Sequence, residues 1–296
     1  MYTSYWNLRV SPFLNADDES FLYPSEQLQE GVARLYYLID QERIAGMVTG
    51  PYGVGKTFLL SCLVRRTQKA KIPLVRFDAI PQGGLPMARF ILAALGIDDR
   101  PATFADAMMS FQRRCMDGGR GLVRHVLLVD EAQFLADGDG LLLVHSLSNL
   151  RIRSAGGEKP LFTIVLSGPP SLARSVDENE SLRRRIQLVW TLDPLSRQQT
   201  FEYVQQHMRA AGGDIWAFSS EALDAVHVCS GGIPRNINNI CDTSLMLGFA
   251  AGVNSIGPEI VREAAEDAGL VQNAAALYPP VPPAGPAPAL SPYQPQ

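Results

Sequence analysis

Short apolar runs recur along the first two thirds of the chain, separated by stretches long enough for a helix. They are Ala45–Thr49, Leu74–Asp78, Val126–Asp130, Phe162–Ser167 and Gln187–Leu192. Runs that are continuous rather than alternating suit strands buried on both faces, so the pattern predicts an α/β domain with a parallel sheet covered by helices. From Pro194 the strand pattern stops and helical segments follow. Ser196 and Gln199 have the spacing of a capping box, and Gly257-Pro258 is placed to open a last helix reaching about Ala268. The predicted division is an α/β domain over 1–193, a small all-helical domain over 194–270 and a tail over 271–296. That tail holds eight prolines and no charged side chain, including Pro279-Pro280-Val281-Pro282-Pro283. Proline at this density removes ladder donors, so an extended polyproline segment is expected, either a disordered end or a docking segment for an aromatic groove. No internal repeat is evident.

At 296 residues with 46% hydrophobic and 19% charged positions, the chain is long enough for a full core. It is neither charge-rich enough for general disorder nor apolar enough for a membrane protein. Twenty-six basic against 30 acidic residues give a net charge of −4, which excludes a global positive field. A local basic patch stays open: Arg65, Arg66, Lys69 and Lys71 are either a solvated helix end or a phosphate-backbone contact surface. The four cysteines, Cys62, Cys115, Cys229 and Cys241, are widely spaced in apolar stretches, as expected of reduced core residues. Neither a secretory signal pattern nor a run of about 18 apolar residues occurs, so the expected location is the cytoplasm, without a direct membrane span. The scattered histidines do not supply a zinc set, and no Gly-x-Ser-x-Gly elbow appears.

The chemistry concentrates at two strand ends. Gly50-Pro51-Tyr52-Gly53-Val54-Gly55-Lys56-Thr57 fits G-x-x-x-x-G-K-[ST] at every fixed position, between the first strand and a helix starting at Phe58. Glycines let backbone N–H groups wrap phosphates, Lys56 neutralises β- and γ-phosphate oxygens, and Thr57 offers a hydroxyl to Mg2+. The third strand ends in Asp130-Glu131-Ala132-Gln133. Asp130 is expected in the magnesium shell, and Glu131 is expected to polarise the water that attacks the γ-phosphate of ATP.

The phosphate loop, the Asp130-Glu131-Ala132-Gln133 box and the stretch Ser230-Gly231-Gly232-Ile233-Pro234-Arg235-Asn236-Ile237-Asn238 together resemble AAA+ ATPases of the ExeA or GspA (general secretion pathway protein A) type. Leu8, Pro12-Phe13, Phe21-Leu22-Tyr23 and Ser25 are similar to that family's opening. The resemblance covers about residues 5 to 270, and the clade includes the transposition ATPases TnsC and TniB. It implies a P-loop NTPase (AAA+) sheet sandwiched by helices, followed by a helical lid.

The same resemblance implies roles for further residues. Pro12 and Phe13, with Ile233 and Pro234 from the lid, match the base pocket, and the loop from Gly50 to Phe58 matches the phosphate cradle. Arg235 matches the sensor 2 arginine. In Leu182-Arg183-Arg184-Arg185-Ile186, Arg185 and then Arg183 match the arginine finger that reaches a neighbour's nucleotide, which implies a homo-oligomer, ring or filament. A solvated basic cluster or a nucleic-acid patch is the alternative for these arginines. Two positions depart from the family: Pro169 stands where a glutamine commonly serves as sensor 1, and Leu28 where histidine is frequent. Ser167 is a candidate substitute for the missing sensor. The implied activity is Mg-ATP hydrolysis that resets a partner assembly in secretion or pilus biogenesis. The alternatives are an ATP-dependent duplex-DNA regulator of transposition or replication, and a slow nucleotide-gated switch.

Overall fold

The structure, a computed structural model, describes residues 2–14, 21–79, 83–116, 123–136, 138–154 and 157–270. The proline-rich tail expected over 271–296 lies outside the described residues. In chain order the elements are α1 (Tyr2–Tyr5), α2 (Glu26–Asp40), β1 (Ala45–Thr49), α3 (Lys56–Lys69), β2 (Leu74–Asp78), α4 (Gly84–Ala94), α5 (Phe104–Met116) and β3 (His125–Asp130). A 3-10 turn (Ala132–Ala136) leads to α6 (Gly140–Ser148), β4 (Arg151–Ser154), β5 (Gly157–Pro160), β6 (Phe162–Gly168), α7 (Pro170–Asp177), α8 (Glu180–Arg183) and β7 (Ile186–Thr191). The chain continues as α9 (Arg197–Ala210), α10 (Ser220–Ser230), α11 (Pro234–Ala251) and α12 (Pro258–Asp267).

Two compact units result. One spans Leu22–Leu195 and includes Ile233–Arg235; the other gathers the described residues up to Phe21, Ser196–Gly232 and those from Asn236 onward. The N-terminal segment therefore groups with the helical unit and not with the α/β domain expected over 1–193. The physical reason is burial: Trp6, Leu8 and Phe13 are core residues of that unit. The Trp6 indole donates to the Leu245 carbonyl at 2.9 Å.

In the α/β unit the five-stranded sheet has the order β2-β3-β6-β1-β7, with every pairing parallel. The central strands β1, β3 and β6 are buried almost throughout. Because side chains alternate across a strand, Leu127, Val129, Ile164 and Leu166 join the core under α4 to α7. Val126, Leu128 and Val165 face the opposite way, onto α2 and α3. Two-sided burial is why these strands read as unbroken apolar runs. The edge strand β7 instead alternates half-buried and exposed positions. Parallel strands bring Thr49, Asp130 and Gly168 to the same edge of the sheet, since each ends its strand. The antiparallel hairpin β4–β5 was not expected, because only Ile152 is a buried apolar residue among Arg151, Arg153, Glu158 and Lys159.

In the helical unit the expected capping box is present, with the Ser196 hydroxyl accepting from the Gln199 amide and the Gln199 side chain accepting from Ser196. Ser219 caps α10 with its hydroxyl accepting from the Ala222 amide, and Pro258 opens α12. His207 is buried, stacks on Phe13 at 5.6 Å and donates from Nδ1 to the Pro12 carbonyl at 2.8 Å. Burial pulls its pKa below the ordinary histidine value, against the raising effect of that hydrogen bond. All four cysteines are free, Cys229 and Cys241 buried and the other two half-buried. Among the described residues, no helix is long and apolar enough to cross a membrane.

Gly31 on α2 generates a stability prediction. A Cβ there would stand 2.8 Å from Leu59 Cδ1 and against the Trp190 indole. Alanine gains about 1 kcal/mol of helix propensity. Overpacking of an interdigitated core costs about 1–3 kcal/mol, so the clash decides the sign. Gly31→Ala is expected to lower the denaturant midpoint in equilibrium unfolding; an unchanged or raised midpoint would show that the indole yields without cost.

Candidate nucleotide site

The site is built where β1 and β3 end. The chain leaves β1 through Gly50, and Gly53 adopts φ 80° while Gly55, which precedes α3, adopts φ 110°. Both lie in the left-handed region where a side chain is strained, so the loop's turn depends on glycine there. Lys56 begins α3 and is buried, with Nζ donating to the Gly50 and Pro51 carbonyls at 2.9 Å each. Its ammonium also lies 5.6 Å from the centre of the exposed Tyr52 ring. Burial lowers the Lys56 pKa; Glu131 and Asp130 oppose that shift and Arg235 adds to it. A desolvated ammonium beside a helix N-terminus is an arrangement suited to polyanionic phosphate.

Asp130, at the end of β3, is only 3% exposed and is held on three sides. Thr57 Oγ1 donates to Oδ2 at 2.9 Å, Ser167 Oγ donates to Oδ1 at 2.8 Å, and Arg76 Nη2 lies 3.6 Å from Oδ2. Arg76 comes from β2 and also donates to Ser61 on α3 at 2.9 Å. A hydroxyl and a carboxylate in contact are hard oxygen donors of the kind magnesium prefers, so Thr57 and Asp130 fit the cation expected there. The next residue, Glu131, has φ 49° and accepts from the Gln133 side-chain amide at 2.6 Å.

The structure thus brings together the loop from Gly50 to Thr57, Asp130 and Glu131. Arg235 joins them: its amide donates to the Gly53 carbonyl at 3.2 Å, and a Cβ on Gly53 would meet the Arg235 Cβ at 2.7 Å and Ile233 Cγ2 at 3.2 Å. Pro234, beside it, is half-buried and starts α11. Val54 is buried in the core, and Phe58 packs partly against it, so the Phe58 ring serves the fold. Pro12 and Phe13 belong to the helical unit, where both are buried and Phe13 lies against His207 and Phe218. Arg183 is exposed at the end of α8, and Arg185 is half-buried just before β7, with a buried Nε that has no hydrogen-bond partner. Leu28 is buried on α2, one turn after its Ser25 cap.

Pro169 holds an extended conformation before α7 and offers no side-chain hydrogen bond. Ser167, the candidate substitute, is fully buried with its hydroxyl committed to Asp130. Arg76 and Gln133 were not assigned roles from the sequence. Arg76 meets Asp130 only because β2 and β3 pair in the register Asp78↔Asp130, which no spacing along the chain reveals. Gln133 was visible as the last letter of the acidic box.

An AAA domain family model matches residues 39–176. General secretion pathway protein A of Aeromonas hydrophila is 31% identical over 264 residues, covering 86% of this chain and 46% of its own length. The chain spans less than half the length of the curated relatives it matches. Among solved structures, Cdc6p from Pyrobaculum aerophilum aligns with a TM-score of 0.64 at 17% identity, covering 85% of this chain and 71% of that one. The ORC2 protein of Aeropyrum pernix, in ADPNP and ADP complexes, aligns at 0.62 with 14% identity, covering 86% and 71%. At these identities the structural likenesses establish the fold.

Gly53→Ala combines left-handed strain with a collision against a Cβ that cannot rotate away. It is expected to weaken binding of a fluorescent ATP analogue about tenfold or more, in line with roughly 1–2 kcal/mol for the backbone alone. An equilibrium titration giving wild-type affinity would show that the loop does not rely on this glycine.

Proposed function

We propose, for a chain that belongs to the AAA+ ATPases of the general secretion pathway protein A type, that it binds Mg-ATP at the β1–β3 edge and hydrolyses it to ADP and phosphate. The observation that carries this reading is the buried Asp130 tied to Thr57, with Lys56 at the head of α3 and Glu131 as the next residue. In this reading Lys56 exchanges its two loop carbonyls for phosphate oxygens, and the N-terminus of α3 receives the same charge. Thr57 and Asp130 hold magnesium, which when bound supplies charge neutralisation at the phosphates. Glu131 orients a water and takes its proton as the water oxygen bonds to the γ-phosphorus. The bond from that phosphorus to the β–γ bridging oxygen breaks, and the oxygen leaves with ADP. Pro234 lines the base pocket in this reading, and Arg235, against Gly53, reports the γ-phosphate.

The finer proposal is that the chain oligomerises as a ring or filament and resets a protein partner in a secretion or pilus assembly. The 31% identity to general secretion pathway protein A supports it. Arg185, with Arg183 second, is the proposed finger acting on a neighbour's nucleotide. The match of Leu182-Arg183-Arg184-Arg185-Ile186 to the family's finger position supports this choice, and Arg185 lies half-buried just before β7. A second reading, duplex-DNA binding, rests on the basic end of α3, where Arg66, Lys69 and Lys71 are exposed.

Phosphate release measured against protein concentration, with Lys56→Ala as blank, tests the reading. The specific rate is expected to rise with concentration in the wild type and to stay low and flat in Arg185→Ala, as expected when a neighbour completes the site. Duplex DNA at low salt should leave the rate unchanged; stimulation would favour the second reading. A wild-type rate no higher than the blank would leave a nucleotide-gated switch.

A further inference from the structure

The acidic box contains a polar side chain for which the reading above has no use. Gln133 sits in the 3-10 turn after β3, and its Nε2 donates to Glu131 Oε2 at 2.6 Å. Its Oε1 is buried and has no hydrogen-bond partner. That oxygen lies beside the end of β6, where a Cβ on Gly168 would be 2.9 Å away. A side-chain amide carries both donors and an acceptor, and a buried acceptor left open is unusual in a folded protein. The same strand end lacks a polar sensor: Pro169 has no side-chain donor or acceptor, and the Ser167 hydroxyl is engaged with Asp130.

From this geometry we infer that Gln133 is the positioning residue for Glu131, supplying from the β3 side the polar function that Pro169 cannot supply from β6. The inference rests on the hydrolysis reading and deepens it. Glu131 has φ 49°, and the turn is closed by the Phe134 amide on the Glu131 carbonyl at 3.1 Å, so Glu131 and Gln133 belong to one rigid turn. A tether two residues away moves with the carboxylate. It therefore fixes the carboxylate's direction and does not withdraw it toward another element. Gly168, at the β6 end, leaves room for the Gln133 Oε1: a Cβ there would stand 2.9 Å from it.

The test compares wild type, Gln133→Met, Glu131→Gln and the double variant. Methionine keeps the length of glutamine and removes its hydrogen bonds. Turnover, affinity for a non-hydrolysable ATP analogue and affinity for ADP–aluminium fluoride, which mimics the transition state, are measured for each. Gln133→Met is expected to lower kcat about tenfold or more and to weaken the mimic by a similar factor, a size usual for groups that position proton transfer. Affinity for the ATP analogue should stay within about twofold, and in the Glu131→Gln background the substitution should weaken the mimic no further. Unchanged kcat and mimic affinity in Gln133→Met, an equal loss in both backgrounds, or a rise in turnover that reveals a latch would overturn the inference. If Glu131→Gln turns over like wild type, the role of Glu131 in the hydrolysis reading fails first; if it is inactive while Gln133→Met is normal, only the role of Gln133 fails. Should the methionine variant lose affinity for the ATP analogue, Gln133→Leu, which removes the hydrogen bonds without adding charge, takes its place with the same expected outcomes.

Discussion

A carboxylate almost wholly removed from water at the end of a central strand is the constraint around which the α/β unit is arranged. An unpaired charge in such a place costs several kcal/mol, so Asp130 requires polar partners from whatever surrounds it. They come from three elements: Thr57 at the head of α3, Ser167 at the end of β6 and Arg76 on β2. Each contact reports that its element is in register. The phosphate loop enters α3 one residue before Thr57, and β2 must pair with β3 for Arg76 to arrive.

The scaffold makes this possible by placing strand ends side by side. Parallel pairing aligns Thr49 with Gly168 and Asp78 with Asp130 on one edge, and continuous burial of β1, β3 and β6 keeps that edge rigid. The functional groups then occupy the loops that leave the edge, which tolerate left-handed backbone at Gly53, Gly55 and even Glu131. Strain at Glu131 is held by the 3-10 turn that follows it. Lys56 folds onto this loop, its Nζ donating to the Gly50 and Pro51 carbonyls.

Much of this architecture could be read from residues alone. The bounds of β1 and β2 match the apolar runs, and the other three sheet strands differ from theirs by a single residue at one or both ends. The phosphate loop and the acidic box were legible because local spacing encodes them. The β4–β5 hairpin was not, because its residues are charged and cross-strand pairing leaves no apolar period there. The grouping of residues 2–14 with the helical unit was hidden for a different reason: Trp6, Leu8 and Phe13 announce burial but not the partner they bury against. Arg76 and the open acceptor of Gln133 were invisible because they depend on strand register and on side-chain satisfaction, which exist only after folding.

The claim on which the account stands is that Asp130 and Thr57 form the magnesium position of a nucleotide site. Titration calorimetry of a non-hydrolysable ATP analogue, with and without Mg2+, in wild type and Asp130→Asn tests it most directly. The account predicts that removing the cation weakens binding to the wild type, and that the variant binds weakly whether or not the cation is there. A variant that keeps the full magnesium dependence of the wild type would contradict it.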